Sequence, residues 1–516
     1  MIIDRNLARF DKPGVLSVRP GLKAVKNWLT DKPAIVVTVH QKLLSPPRGT
    51  ALPKSVGGVP VDVRQASPAK REEILSPAVY STRLRLSPDT GAVAHFADER
   101  TPFGARPGLA ASAHAQLAAI AKPHLAYTPP ADVALEPVEE ELTIRVSASP
   151  DSGWPTLQAF LAGTVKSLTV GLYDFTAHHI EEAVSQAMQG KRMRLVLDHP
   201  AVNPTADETD AQTVAELTQQ LGGGFEYAWA LTRTDPQATV WIYPAAYHIK
   251  VAVRDGASFW LSSGNWNNSN EPDPPPVLGQ PSGAAASGRD RDWHVVIESE
   301  RLAGMFESYI LNDLAVASAH NASTPAVPSP VPPPGSPTKG KPFKEFFDAK
   351  SFTEKVRVTP LLTPDPGIYT SAVRQLIEGA QHTLYMQYQY IELPREANET
   401  SQPFLDLVDA VIGRQKAGLD VRIIMSEFEK IGYLEQLHER GLDVVNGVRI
   451  QNNVHNKGIL VDGEKVLVSS QNWSTDGTLY NRDAGVIIAS PAIAGYFQTI
   501  FEHDWDNLAE QKASAD

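Results

Sequence analysis

A duplicated α/β architecture preceded by a smaller β-rich domain is predicted by three features of this 516-residue sequence. Two long stretches repeat the same order of strand-like and helix-like segments, a Pro-rich segment separates them, and the residues ahead of them read as short strands bounded by Pro and Gly. The length exceeds what one ordinary core supports, so two or three domains of roughly 100 to 200 residues are expected.

The amino-terminal part, 1–135, has no counterpart in the repeat. Ala34-Ile-Val-Val-Thr-Val and Val59-Pro-Val-Asp-Val-Arg read there as strands, and an accessory domain is expected. The first lobe is placed at 136–316 and the second at 343–516. Between them lies a linker, 317–342, whose Pro-Ser-Pro-Val-Pro-Pro-Pro-Gly-Ser-Pro run favours extended polyproline conformations. A second such stretch, Glu271 to Gly288, reads as an inserted loop at the mouth of any site nearby, either a lid or a plain solvated insertion.

Matching elements define the repeat. Ile144-Arg-Val-Ser ahead of Pro150-Asp-Ser-Gly parallels Val356-Arg-Val-Thr ahead of Pro364-Asp-Pro-Gly. A helix-like stretch and a β-rich run follow in each half, Ser167 to Phe175 and Thr383 to Ile391, then a helical pattern and another apolar strand, Met193 to Asp198 and Val421 to Ser426. Arg291-Asp-Trp-His-Val-Val-Ile parallels Arg482-Asp-Ala-Gly-Val-Ile-Ile, and Ala303-Gly-Met-Phe-Glu parallels Ala494-Gly-Tyr-Phe-Gln.

Composition narrows the chemistry. Hydrophobic residues at 42% and charged residues at 21% describe an ordinary globular protein. The absence of cysteine removes disulfides, thiolate metal sites and every cysteine-nucleophile mechanism. A net charge of −12 disfavours attraction of the whole protein to duplex nucleic acid, although a local basic cleft stays compatible with it. The first residues lack a secretory apolar stretch, and no run of roughly eighteen apolar residues exists to span a bilayer. A soluble protein is expected, cytoplasmic or exported by another route.

The chemistry-bearing pattern occurs twice. His248-Ile-Lys250 is followed by Asp255 and then Ser262-Ser263-Gly264-Asn265-Trp266; His455-Asn-Lys457 is followed by Asp462 and then Ser469-Ser470-Gln471-Asn472-Trp473, with the same spacing. Residues two apart on a strand face one side, so each pair presents an imidazole and an ammonium together. Lysines and asparagines supply the cationic and hydrogen-bonding groups that a phosphodiester needs at its non-bridging oxygens. A neutral imidazole can attack phosphorus while an opposite imidazolium protonates the leaving oxygen.

Over about residues 140 to 510 the pattern resembles the duplicated H-x-K-x4-D-x6-G-S-x-N signature of the phospholipase D superfamily, with Ser262 and Ser469 standing where that family generally has Gly. The resemblance implies two lobes of phospholipase D type, each a mixed sheet flanked by helices, related by a pseudo-twofold axis, with one complete site per chain and a phosphohistidine course without metal or other cofactor. It suggests His248 as nucleophile and His455 as acid, with Lys250, Lys457, Asn265 and Asn472 on the phosphate. Asp292 and Asp483, at matching places of the repeat, are the candidates for orienting an imidazole of the same or the facing half. Asp255 and Asp462 are expected to be structural, because their period turns them away from His and Lys.

Ser263 and Ser470, together with Trp266 and Trp473, are the expected substrate contacts. Trp241, Tyr243, Tyr247 and Trp260 lie near the motifs too, where such aromatics line a headgroup pocket, stack on a base or fill the core. His178, His179, His294 and His503 are expected at the surface or in local hydrogen bonds. Val15 to Arg64 resembles a small domain found ahead of some trypsin-like peptidases, and Asp151-Ser152-Gly153 is similar to a serine-protease signature. The matching Asp365-Pro366-Gly367 instead assigns Ser152 to the turn that opens the repeat. The expected substrate is a phospholipid headgroup at a transiently touched membrane surface, with single-stranded nucleic acid as the rival. Transfer to an alcohol and non-catalytic phosphate binding stay open.

Overall fold

The computed structural model describes residues 2–43, 51–66, 127–198, 208–235, 238–241, 246–273, 289–320, 346–394, 399–427 and 430–514. In chain order the strands are β1 (Val15–Val25), β2 (Trp28–Val39), β3 (Ser55–Val56), β4 (Val59–Gln65), β5 (Val138–Ser149), β6 (Ser167–Leu172), β7 (Arg192–Leu197), β8 (Phe225–Trp229), β9 (Leu231–Asp235), β10 (Ala238–Trp241), β11 (Lys250–Arg254), β12 (Ser258–Ser262), β13 (Asp292–Glu298), β14 (Lys350–Thr363), β15 (Thr383–Tyr388), β16 (Asp420–Met425), β17 (Val448–Ile450), β18 (Lys457–Val461), β19 (Lys465–Ser469), β20 (Asp483–Ala489) and β21 (Glu510–Gln511). The helices are α1 (Ile2–Asn6), α2 (Gly153–Ala162), α3 (His178–Met188), α4 (Asp210–Leu221), α5 (Glu300–His320), α6 (Ile368–Glu378), α7 (Gln402–Lys416), α8 (Lys430–Arg440), α9 (Val444–Gly447) and α10 (Pro491–Asn507).

The two repeats share one mixed sheet of fifteen strands, where the sequence suggested a separate sheet for each lobe. Its order is β21-β17-β16-β15-β18-β19-β20-β14-β5-β13-β12-β11-β6-β7-β8. Read outward from the β14–β5 seam, the two sides present the repeat elements in the same succession. β6, β7 and β8 run parallel, as do β15, β16 and β17, and the other pairings in the sheet are antiparallel. The inner strands are buried on both faces, as β6 and β15 illustrate: Leu168, Val170 and Leu172 make one face of β6 apolar, and Thr169 and Gly171 lie on the other.

β5 and β14 make the seam. Ser149 stands opposite Asp292 and Thr363 opposite Asp483, so those two positions are equivalent. Eight residues earlier in each strand come Glu141 and Lys355, which are each other's partners across the seam. The pseudo-twofold axis therefore passes between them. Ile144 accordingly matches Val358, two residues on from the Val356 that sequence identity suggested. A shift of two preserves the buried face of a strand, which is why apolar pattern alone does not detect it.

One core spans both halves and holds Leu302, Phe306 and Ile310 of α5 with Ile493, Phe497 and Phe501 of α10. Each lobe has a further core, built on α2, α3 and α4 in the first and on α6 and α7 in the second. Sequence sets the helix starts. Thr209 and Gln212 form a reciprocal capping box at α4, and Ser490 caps α10 with Pro491 following.

The amino-terminal unit is a sheet of order β1-β2-β4-β3. It docks on the second lobe, where Glu435 of α8, fully buried, pairs with Arg19 and Arg64. Leu29 exchanges backbone hydrogen bonds with the carboxy-terminal segment, to Lys512 O at 2.7 Å and from Ser514 N at 2.7 Å. The segment from Tyr127 belongs to the lobes instead of this unit, since Tyr127, Val133 and Leu135 pack on the central core. α5 continues to His320, so the first four residues of the expected linker are helical; the rest of it and most of the 271–288 insertion lie outside the described residues. Among the described residues no helix is long and apolar enough to cross a membrane.

Asp255 and Asp462 open the hairpins β11–β12 and β18–β19 in the left-handed region, at φ +57° and +53°, each followed by Gly. Asp255 accepts the backbone N–H groups of Val165, Lys166 and Ser167 at 2.9, 2.6 and 2.8 Å. Asp462 accepts those of Gln381, His382 and Thr383, each at 2.8 Å. Burial pushes both carboxyls up, and the backbone donors outweigh it and leave both below their ordinary value. They sit at the strand ends remote from Lys250 and Lys457. Asp255→Asn, which tolerates the turn but replaces an acceptor with a donor, is expected to lower stability in urea unfolding by about 1–3 kcal/mol at pH 7. Because the folded pKa is depressed, this contribution is present above the unfolded value of about 3.9 and is lost as pH falls through the folded one. The wild-type advantage should vanish in strong acid.

Candidate active site

Each HxK segment crosses the seam before its strand begins. The His248 amide donates to Arg482 O at 2.8 Å, and the Arg482 amide donates to Ala246 O at 2.8 Å. The mirror arrangement joins the His455 amide to Arg291 O at 3.1 Å and the Arg291 amide to Asn453 O at 2.8 Å. Each imidazole is thereby hung from the opposite half, next to the residue that follows that arginine. His248 Nδ1 lies 2.8 Å from Asp483 Oδ1, and His455 Nδ1 lies 3.1 Å from Asp292 Oδ1. The carboxylate comes from the facing half in both cases.

The serines of the motif hold these carboxylates. Ser263 Oγ donates to Asp292 Oδ1 at 2.7 Å and accepts the Trp293 amide at 3.0 Å. Ser470 Oγ donates to Asp483 Oδ1 at 2.5 Å and accepts the Ala484 amide at 3.0 Å. They therefore fix the orienting groups, where sequence expected substrate contacts. Burial raises the Asp292 carboxyl, and the charge and hydrogen bond of His455, with Lys457, more than offset it and hold it below its ordinary value.

The lysines differ between halves. Lys457 Nζ lies 3.1 Å from both ring nitrogens of His455, donates to the His455 carbonyl, and reaches Ser263 O at 3.4 Å across the seam. Lys250 Nζ donates to His248 O at 2.6 Å and lies 5.3 Å from the Tyr173 ring, which packs edge-on against His248. Asn265 and Asn472 are buried, and Asn265 Oδ1 makes no hydrogen bond. His455 keeps 10% of its side chain exposed and His248 none, so the described surface opens on the His455 side.

The tryptophans correct the sequence reading. Trp266 and Trp473 follow the motif asparagines, and the period of the chain turns them to the opposite side, into the two outer cores. Trp266 packs on Phe175 and Trp260, and Trp473 packs on Tyr388 and donates from Nε1 to Tyr369 Oη at 3.2 Å. Tyr247 is likewise core, its hydroxyl 3.1 Å from Asp313 Oδ2. The side chain of Trp241, and Tyr243, lie outside the described residues. Ser152 donates to Phe347 O at 2.9 Å in the turn before α2. His178 is exposed, His179 Nε2 meets Glu271 O at 2.9 Å, and His503 is buried beside Asp504.

Two features escaped the sequence reading. Arg291 and Arg482 are fully buried and paired in matching fashion. Arg291 contacts Asp504 through Nε at 2.8 Å and Nη2 at 3.0 Å, and Asp151 through Nη1 at 3.0 Å. Arg482 contacts Asp313 at 3.0 Å and Asp365 at 3.3 Å. The signal was present, since both arginines precede the orienting aspartates and Asp313 and Asp504 follow the matched Ala-Gly-x-Phe segments at equal distance. The second feature is confined to the first lobe. Ser262, in the usual Gly place, bonds His294 Nδ1 at 2.7 Å, and His294 Nε2 meets Ser149 Oγ at 2.8 Å, with buried Glu271 Oε1 3.2 Å from Nδ1. Burial pushes His294 down to about 4. At the matching place Gly485 leaves no ring, and Ser469 donates to Lys457 O at 2.8 Å.

Residues 373–505 match the family model described as cardiolipin synthase, PLD-like domain. Among characterised proteins, the chain is 29% identical over 181 residues to a phospholipase D of Rickettsia prowazekii, covering 31% of this chain and 80% of that one. It is 26% identical over 152 residues to the DISARM protein DrmC of Bacillus paralicheniformis, 27% of this chain and 58% of that one. A mitochondrial cardiolipin hydrolase of Chlamydomonas reinhardtii is 26% identical over 110 residues, 20% of this chain and 46% of that one. The chain thus spans less than two thirds of the length of the latter two. A phosphatidylserine synthase of Haemophilus influenzae aligns in three dimensions with a TM-score of 0.47 at 14% identity, covering 71% of this chain and 87% of that one.

Burial raises the Asp504 carboxyl and the Arg291 guanidinium outweighs it, bringing it to about 2. Its stabilisation is present above the unfolded value and lost as pH falls toward 2. Asp504→Asn is expected to cost about 3 kcal/mol at pH 7, because Arg291 stays buried with half its charge unmet. Urea unfolding at pH 7 and pH 3 should show the difference shrinking in acid.

Proposed function

The chain belongs to the phospholipase D superfamily, and on that premise we propose that it hydrolyses a phosphodiester, with His248 and His455 as the two reacting groups. The observation that carries this reading is the pair of imidazole–carboxylate contacts across the seam, His248 with Asp483 and His455 with Asp292. A carboxylate on Nδ1 fixes the tautomer and leaves Nε2 for chemistry. His248 Nε2 attacks phosphorus, and the imidazolium of His455 delivers its proton to the leaving oxygen. His455 then takes a proton from water, which attacks the phosphohistidine and frees His248. Lys250 and Lys457 balance the charge on the phosphoryl oxygens, and Asn265 and Asn472 donate to them.

A phospholipid is the substrate we favour. The support is the net charge of −12, which opposes binding of a polyanion, together with the likeness to a phospholipase D. Burial of Trp266 and Trp473 takes these two rings out of reach of a nucleic-acid base.

The test pairs phosphatidylethanolamine vesicles with single-stranded DNA. His248→Ala and His455→Ala are each expected to lower turnover about ten-thousand-fold, and Asp292→Asn and Asp483→Asn at least about a hundredfold, with melting temperature measured on each variant. Headgroup release that persists in either histidine variant would overturn the assignment. DNA cleavage that falls steeply with salt, without lipid turnover, would make the protein a nuclease. EDTA is expected to leave the initial rate unchanged well below the melting temperature.

A further inference from the structure

We propose that His178, Glu181, Glu208 and Glu216 form a divalent metal site at the junction of α3 and α4, separate from the two histidine motifs. One ligand atom from each residue lies within 4.8 Å of all the others. Glu181 carries the argument. It is fully buried, its Oε1 accepts from Ser185 Oγ at 2.7 Å and from Gln220 Nε2 at 3.5 Å, and its Oε2 makes no hydrogen bond. That oxygen points into the cluster, with His178 Nδ1 3.9 Å away. A buried carboxylate oxygen left without a donor is costly, and three converging carboxylates repel one another. A dication answers both.

The donor set selects the ion. One imidazole nitrogen and three carboxylates suit Zn²⁺ or Mn²⁺, whereas Mg²⁺ and Ca²⁺ prefer oxygen alone. The His178 side chain is 53% exposed, so an ion has a way in from solvent. The site also has a place in the fold. α3 begins just after Thr176 and Ala177, whose amides donate to Trp266 O at 2.9 and 3.1 Å, and Asp210 at the start of α4 accepts the Phe175 amide at 2.8 Å. An ion held there ties the start of α3 to α4 and to Glu208 just ahead of it, beside the first motif. The role is structural.

The test uses the full chain without an affinity tag, stripped with EDTA and desalted, then titrated with ZnCl₂ and MnCl₂ by calorimetry and thermal melting. One equivalent of at least one of these ions is expected to bind and raise the melting temperature by about 3 °C or more at saturation. His178→Ala, at an exposed position, should weaken binding at least about tenfold and remove the shift while leaving the metal-free melting temperature within about 2 °C of the wild type. Glu181→Gln should do the same. Absence of one-equivalent binding by both ions, or unchanged affinity in His178→Ala, overturns the proposal.

Discussion

Two buried arginines hold the candidate site together. Arg291 and Arg482 each place a guanidinium between carboxylates of both halves, while their own backbone carbonyls receive the amides of His455 and His248. A guanidinium taken out of water is tolerable only with such close, matched partners. The planar fork fixes direction as well as charge, and the aspartate that follows each arginine is delivered to the imidazole facing it. Movement of one lobe against the other would strand the guanidiniums and separate the imidazoles from their carboxylates in the same step.

The same constraint explains why the seam is a continuous sheet. β5 and β14 pair over a long register, so the relative position of the lobes is set by backbone hydrogen bonds as well as side-chain packing. α5 and α10 then close one face of the seam and supply Asp313 and Asp504. Reciprocity makes the arrangement stiff, so the charged groups of the site are held in place in advance of any ligand.

The halves are nonetheless unequal. The first carries the His294, Ser262, Ser149 and Glu271 network beneath Asp292, while the second has Gly485 in place of the ring. Lys457 reaches its imidazole and Lys250 turns to a carbonyl and the Tyr173 ring. Duplication supplied matching backbones, and substitutions at a few buried positions gave each histidine its own surroundings.

The duplication, the α/β class, the motif histidines and the separate amino-terminal sheet were legible in the sequence because each is a local pattern or a repeat of one. Asp255 and Asp462 were legible as structural for the same reason, since turn chemistry depends on neighbours in the chain. Tertiary structure decided what depends on residues far apart: that the orienting carboxylate comes from the facing half, that Ser263 and Ser470 hold that carboxylate, and that Trp266 and Trp473 face the core. It also decided the two-residue offset of β5 against β14, because a strand shifted by two buries the same face and leaves the apolar pattern unchanged. Sequence spacing names the side of a strand, and only the packed neighbour determines what meets it.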